Sequence, residues 1–111
     1  MEKLPFKTFA FFEMEITLDG TPYIIIFKWN SRGGFWSMSW LNRNREVLVN
    51  GLKIIINYEL IGWYPDRGLP PGALFATDDK SGTDRIGRDD FTNGRLSLVY
   101  MTEEEVINAS I

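Results

Sequence analysis

The chain has 111 residues, 44% of them hydrophobic and 14% aromatic, which is enough apolar material for a packed core and too much for a disordered chain. It contains no Cys and no His, which excludes disulfides, thiol catalysis, Cys/His zinc sites and every His-based triad. Its net charge of −3 lacks the basic footprint of a nucleic-acid binder, and no apolar run approaches the ~20 residues of a membrane-spanning helix.

Residues 1–5 have no signal-peptide shape, so a soluble protein made in a cytoplasm is expected. The first regular signal has a period of two. Phe12, Met14, Ile16 and Leu18 alternate with Glu13, Glu15 and Thr17, as in a strand with one buried face. Asp19-Gly20 then marks a hairpin turn. Across residues 23–29, Tyr23, Ile25, Phe27 and Trp29 point one way and Ile24, Ile26 and Lys28 the other. A strand apolar on both faces is either central or meets a partner on one of them. Asn30-Ser31-Arg32-Gly33-Gly34 turns the chain, and Trp36, Met38 and Trp40 then alternate with Ser37 and Ser39.

After a turn at residues 42–46, Val47-Leu48-Val49 opens another strand. Asn50-Gly51 interrupts it as either a turn or a bulge, and residues 52–58 continue it. Residues 61–72 read as loop, 73–77 as a short strand, 78–90 as a polar loop and 95–101 as the last strand. Thr102 and Glu105 have capping-box spacing, leaving room for one or two helical turns. No repeat or internal boundary is visible. The pattern predicts one all-β domain over residues 1–111, an antiparallel β-barrel or sandwich of about six to eight strands. Its core is expected from Met14, Ile16, Leu18, Ile25, Phe27, Trp36, Met38, Leu96 and Leu98.

Three constellations could carry chemistry. Asp78, Asp79, Asp84, Asp89 and Asp90 form an acidic loop, but their spacing does not fit a calcium loop and Lys80, Arg85 and Arg88 neutralise it. A solvated loop without metal is expected. Glu13 and Glu15 share a strand face and could pair as in a glycosidase, yet alternating acids are the ordinary wet face of a strand. Trp29, Trp36, Trp40 and Trp63 could make a platform for sugars. Trp36 and Trp40 share the period of Met38 and read as core, whereas Trp63, beside Tyr64, lies in a loop, where it is either an interface anchor or part of the loop's own packing. Asn108-Ala109-Ser110 matches a glycosylation triplet, unsupported by any secretion signal.

The ordered set of segments is more informative than any one of them. Leu18-Asp19-Gly20-Thr21-Pro22-Tyr23, Phe27-Lys28-Trp29-Asn30, Gly34-Phe35-Trp36, Leu69-Pro70-Pro71-Gly72-Ala73-Leu74, Gly87-Arg88-Asp89-Asp90-Phe91 and Arg95-Leu96-Ser97-Leu98-Val99-Tyr100 follow one another. This succession resembles the baseplate plug proteins of contractile-tailed phages and prophages, over roughly residues 14–100. The resemblance implies a structural component of the tail tip, no enzyme and no cofactor. It implies a virion protein assembled in the bacterial host cytoplasm, in a cyclic three- or sixfold homo-oligomer beside other baseplate proteins. Interface residues are then expected at Ile24, Ile26, Trp63, Tyr64, Leu69, Pro70, Pro71 and Arg88. The alternatives are a small β-barrel module binding a carbohydrate or another ligand through its Trp residues, and a carboxylate-dependent hydrolase.

Overall fold

The computed structural model describes residues 1–56, 58–64, 66–78 and 86–109. Among these residues seven strands and one helix follow in chain order: β1 (Glu2–Leu4), β2 (Phe11–Leu18), β3 (Thr21–Asn30), β4 (Phe35–Asn42), β5 (Val47–Lys53), β6 (Ala73–Asp78), β7 (Leu96–Met101) and α1 (Glu103–Ala109). They form two antiparallel sheets, one ordered β1-β7-β6 and the other β2-β3-β4-β5. The sheets do not close on each other, so the architecture is a sandwich and not a barrel.

The period-two pattern sets which face of each strand turns inward. Phe12, Met14 and Leu18 of β2, Tyr23, Ile25 and Phe27 of β3, and Trp36, Met38 and Trp40 of β4 are buried in one cluster with Leu74, Ala76, Leu96, Leu98 and Tyr100 of the other sheet. Eight of the nine expected core residues are buried; the ninth, Ile16, is partly buried and packs against the cluster. The register Leu18↔Thr21 leaves Asp19 and Gly20 as a two-residue turn, with φ of +50° and +79°. Two positive φ values match the right-handed twist of the flanking strands, which is why Asp-Gly suits this hairpin.

Asn50-Gly51 is a bulge. β5 runs through it while the pairing with β4 shifts between Met38 and Trp40, and Gly51 takes a φ of +69°. Ser39 supports it, donating its hydroxyl to Asn50 Oδ1 (2.6 Å) and accepting from the Gly51 N–H (3.1 Å). The expected continuation over residues 52–58 is corrected. β5 ends at Lys53, and Ile56 forms an isolated parallel bridge with Ala76 of β6. This segment therefore leaves one sheet and reaches the edge of the other. β1 is a further strand, too short to show alternation in the sequence. Beyond it Phe6 inserts among Phe12, Phe27, Trp36 and Phe91, with centroids 4.4–5.1 Å away.

At the β2–β3 turn the sheets are joined by polar contacts. The Tyr100 hydroxyl accepts from the Gly72 N–H (2.8 Å) and donates to Asp19 Oδ2 (2.5 Å). The same carboxylate oxygen accepts the Glu103 N–H (3.0 Å) at the start of α1. A Cβ on Gly72 would lie 1.9 Å from the Met101 carbonyl, so only glycine fits. The helix is capped as its sequence predicts: Glu105 N–H donates to Thr102 Oγ1 (3.2 Å) and Thr102 N–H to Glu105 Oε1 (3.0 Å).

Burial, and then the bond to Asp19, push the Tyr100 phenol above its ordinary range. Tyr100→Phe leaves the Gly72 N–H without its acceptor and removes one of the two bonds to the Asp19 oxygen, which keeps the Glu103 N–H, and should cost about 1–3 kcal/mol in urea unfolding. Because the folded pKa is raised, the natural chain keeps this stabilisation below pH ~10 and loses it progressively above. The Phe variant should lack that alkaline decline.

Candidate interface

Trp63 is held in place from behind. The Glu59 carboxylate accepts the N–H groups of Ile61 (3.0 Å) and Gly62 through its two oxygens, and that of Leu74 on β6 (2.9 Å). The Leu60 N–H donates to the Leu74 carbonyl (2.9 Å), which clamps the loop against β6. On this base the Trp63 indole N–H donates to the Glu59 carbonyl (2.8 Å) while the residue stays 74% exposed. Its one polar atom is satisfied and its ring faces water. Tyr64 beside it is also exposed, as is Tyr58. A large aromatic ring with a fixed orientation loses little conformational freedom on docking.

Ile24 and Ile26 lie on the outer face of the four-stranded sheet, outside the core cluster. They are not equivalent. Ile24 pairs with Glu15 on one side and Leu41 on the other and is only 5% exposed within the chain itself. An ion pair also crosses this face: Arg45, in the turn after β4, reaches over β3 to Glu13 on β2, with nitrogen–oxygen distances of 3.0 and 3.3 Å. The Arg45 contact holds the Glu13 carboxyl below its ordinary range. Ile26 is half-buried, and with Phe11, Leu41 and Val47 it lines a shallow depression of about 430 Å³. Phe11 and Val47 are each 63% exposed.

The remaining expected contact residues are separated from these. Leu69 packs partly against the core, Pro70 is buried and Pro71 is exposed. The neighbouring Gly68 carbonyl accepts the Tyr23 hydroxyl (3.2 Å), so this segment also serves the fold. Arg88 is exposed and works as a strap. Its guanidinium donates to the Thr8 carbonyl (3.1 Å) and pairs with Asp89 (3.3 Å), while its own carbonyl accepts the Trp36 indole N–H (3.2 Å).

The other constellations separate as well. Trp36 and Trp40 are core, and Trp29 is half-buried against it, which leaves a poor platform for a sugar. An open cleft of about 670 Å³ is lined by Trp29, Phe35, Lys53, Ile86, Asp90 and Arg95. Its one carboxylate among the described residues, Asp90, pairs with Arg95 at 2.8 Å, and that contact holds its carboxyl low. Arg95 also reaches Asp78 (3.6 Å). Arg95 thus lies between two carboxylates, Asp78 and Asp90. Asp79, Lys80, Asp84, Arg85 and Ser110 lie outside the described residues. Among the described residues no three acids cluster as metal ligands.

A protein-family model described as the cyanophage baseplate Pam3 plug gp18 matches residues 1–104. No curated protein matches the chain.

The unequal burial of the two isoleucines gives a direct test of the outer face. Ile26→Lys should leave the thermal midpoint nearly unchanged, because a lysine stem can lie along the depression with its ammonium in water. Ile24→Lys should lower stability by about 1–3 kcal/mol, since its charge must displace the cover provided by its neighbours. Circular dichroism melts of the two single variants measure the difference.

Proposed function

Because this chain belongs to the cyanophage baseplate plug family, we propose that it is a structural subunit that closes or organises the hub or tube end of a phage tail baseplate. It would be assembled in the bacterial host cytoplasm and act in a cyclic three- or sixfold arrangement, packed against other baseplate proteins. The role requires binding surfaces and a stiff body, and no chemistry. The family match supports the class of protein. The observation that carries docking is Trp63, whose indole is hydrogen-bonded to the Glu59 carbonyl while the residue remains 74% exposed.

A subunit built into a larger assembly is served by loops fixed to its core. Three loops have this character. Glu59 fixes the Trp63 loop to β6, Asp19 fixes the first hairpin turn to β7 and α1, and Arg88 joins its own loop to the segment before β2. Trp63 sits on one of these loops, while Phe11 and Val47 are exposed at the starts of β2 and β5. A contiguous apolar patch left in water marks a surface that meets a partner, and Phe11 and Val47 line one depression together with Ile26 and Leu41.

Expressed together with the baseplate proteins encoded beside it, the chain should elute in a complex larger than its own monomer. Trp63→Ala should weaken that complex by roughly 2 kcal/mol or more, about thirtyfold, without lowering the thermal midpoint of the isolated chain. A chain that stays monomeric with all of those proteins would overturn the proposed role. A complex that is indifferent to Trp63→Ala would remove the loop from the interface.

A further inference from the structure

The two sheets have four edge strands, and three are obstructed. β6 is covered by the segment that follows β5, through the Ile56–Ala76 bridge, the Leu60–Leu74 bond and the Glu59 carboxylate on the Leu74 N–H. β5 carries the Asn50-Gly51 bulge, which twists an edge out of register. β1 has only three residues. β2 differs, since its eight residues pair with β3 in one unbroken register.

The polarity of that edge follows from one bond. The Trp29 N–H donates to the Ala10 carbonyl (2.8 Å), in line with the β2–β3 register. The even positions of β2 therefore turn their backbone groups toward β3, and Phe11, Glu13, Glu15 and Thr17 turn theirs away. Lys7 Nζ meets the Glu13 carbonyl at 3.3 Å, consistent with that direction. Among the described residues no other bond to the outward backbone groups of these four positions is present. An unpaired row of this length is a template for another strand.

We infer that the outer edge of β2 is a strand-addition site for an extended segment of a partner protein that carries Lys or Arg opposite Glu15. Charge selects the occupant. Glu13 is already paired with Arg45, whereas Glu15 makes no salt bridge among the described residues and feels Arg45 only as a weaker, longer-range attraction. In the most fully overlapped antiparallel registers a second copy of β2 would set Glu13 against Glu15, or Glu15 against Glu15. Like charges directly opposed across a ladder are unfavourable, so this edge rejects its own copy and suits a basic strand. Apolar residues of such a strand would cover Phe11 on the outer face and the half-exposed Ile16 on the inner one. The inference goes beyond the tail role, because the edge has this geometry in whatever particle the chain occupies.

The test uses the full chain, isotopically labelled, with two eight-residue peptides, one alternating Lys and Val and the other Glu and Val. The Lys peptide should slow amide exchange at Phe11, Glu13, Glu15 and Thr17, and bind roughly tenfold tighter than the Glu peptide at low salt. Glu15→Lys should remove or invert that preference. Glu15→Pro deletes an outward N–H and is compatible with an edge strand, so it should abolish the slowing while amide protection in β3 shows the fold intact. Slowing that persists in Glu15→Pro, equal binding of the two peptides, or no slowing with either would overturn the inference. So would protection of the same four amides by self-association of the chain alone, which would assign the edge to a second copy.

Discussion

Every long strand of this chain must hide one face, and the two sheets satisfy that demand against each other. Trp36, Trp40, Phe27 and Tyr100 occupy the space between them, at 1% exposure or less. Burying such rings supplies most of the drive to fold. It also fixes what is left over. Once the inner faces are committed, a partner can meet only the outer faces, the strand edges and the loops. The anchored Trp63 loop, the depression beside Ile26 and the open edge of β2 are those three kinds of surface.

Polar groups at the rim of the core convert packing into position. Hydrophobic contact is non-directional, and by itself would let the sheets slide. Tyr100 adds direction by holding both the Gly72 N–H and the Asp19 carboxylate. Glu59 does the same for the Trp63 loop with three backbone N–H groups. Trp36 tethers the loop of Arg88 through its indole N–H. Trp40 is the exception. Its indole N–H is buried without a hydrogen-bond partner among the described residues, and the ring instead packs edge-to-face against Tyr23 at 5.6 Å. An unpaired buried donor costs about 1–3 kcal/mol, so this site is held by packing at some expense.

Much of this was legible in the sequence because period-two burial is a local property. The inner faces of β2, β3 and β4, the Asp19-Gly20 hairpin and the Thr102–Glu105 cap each need only a few neighbouring residues to be read. The family resemblance could be read from an ordered set of such segments. What escaped depends on distant parts of the chain. Phe6 stands alone between Pro5 and Lys7, and nothing there signals that four aromatic rings will surround it. Ile24 and Ile26 have the same parity and look alike, yet one is buried beside Leu41 and the other half-buried beside Ser39. Glu59 gives no local sign of its role, because one of the N–H groups it accepts comes from Leu74, fifteen residues on. The free edge of β2 likewise emerges only when the strand order is known.

The central claim is that this chain is a built-in part of a tail tip whose partner surfaces are the loops and edges left by its sandwich. A cryo-electron microscopy reconstruction of intact particles of the phage that encodes it addresses this most directly. The account predicts density for the two-sheet fold in the baseplate at the end of the tail tube, in a cyclic set of copies, with the Trp63 ring seated against another subunit. A tail tip resolved without this fold, or with the Trp63 ring facing open solvent in every copy, would contradict it.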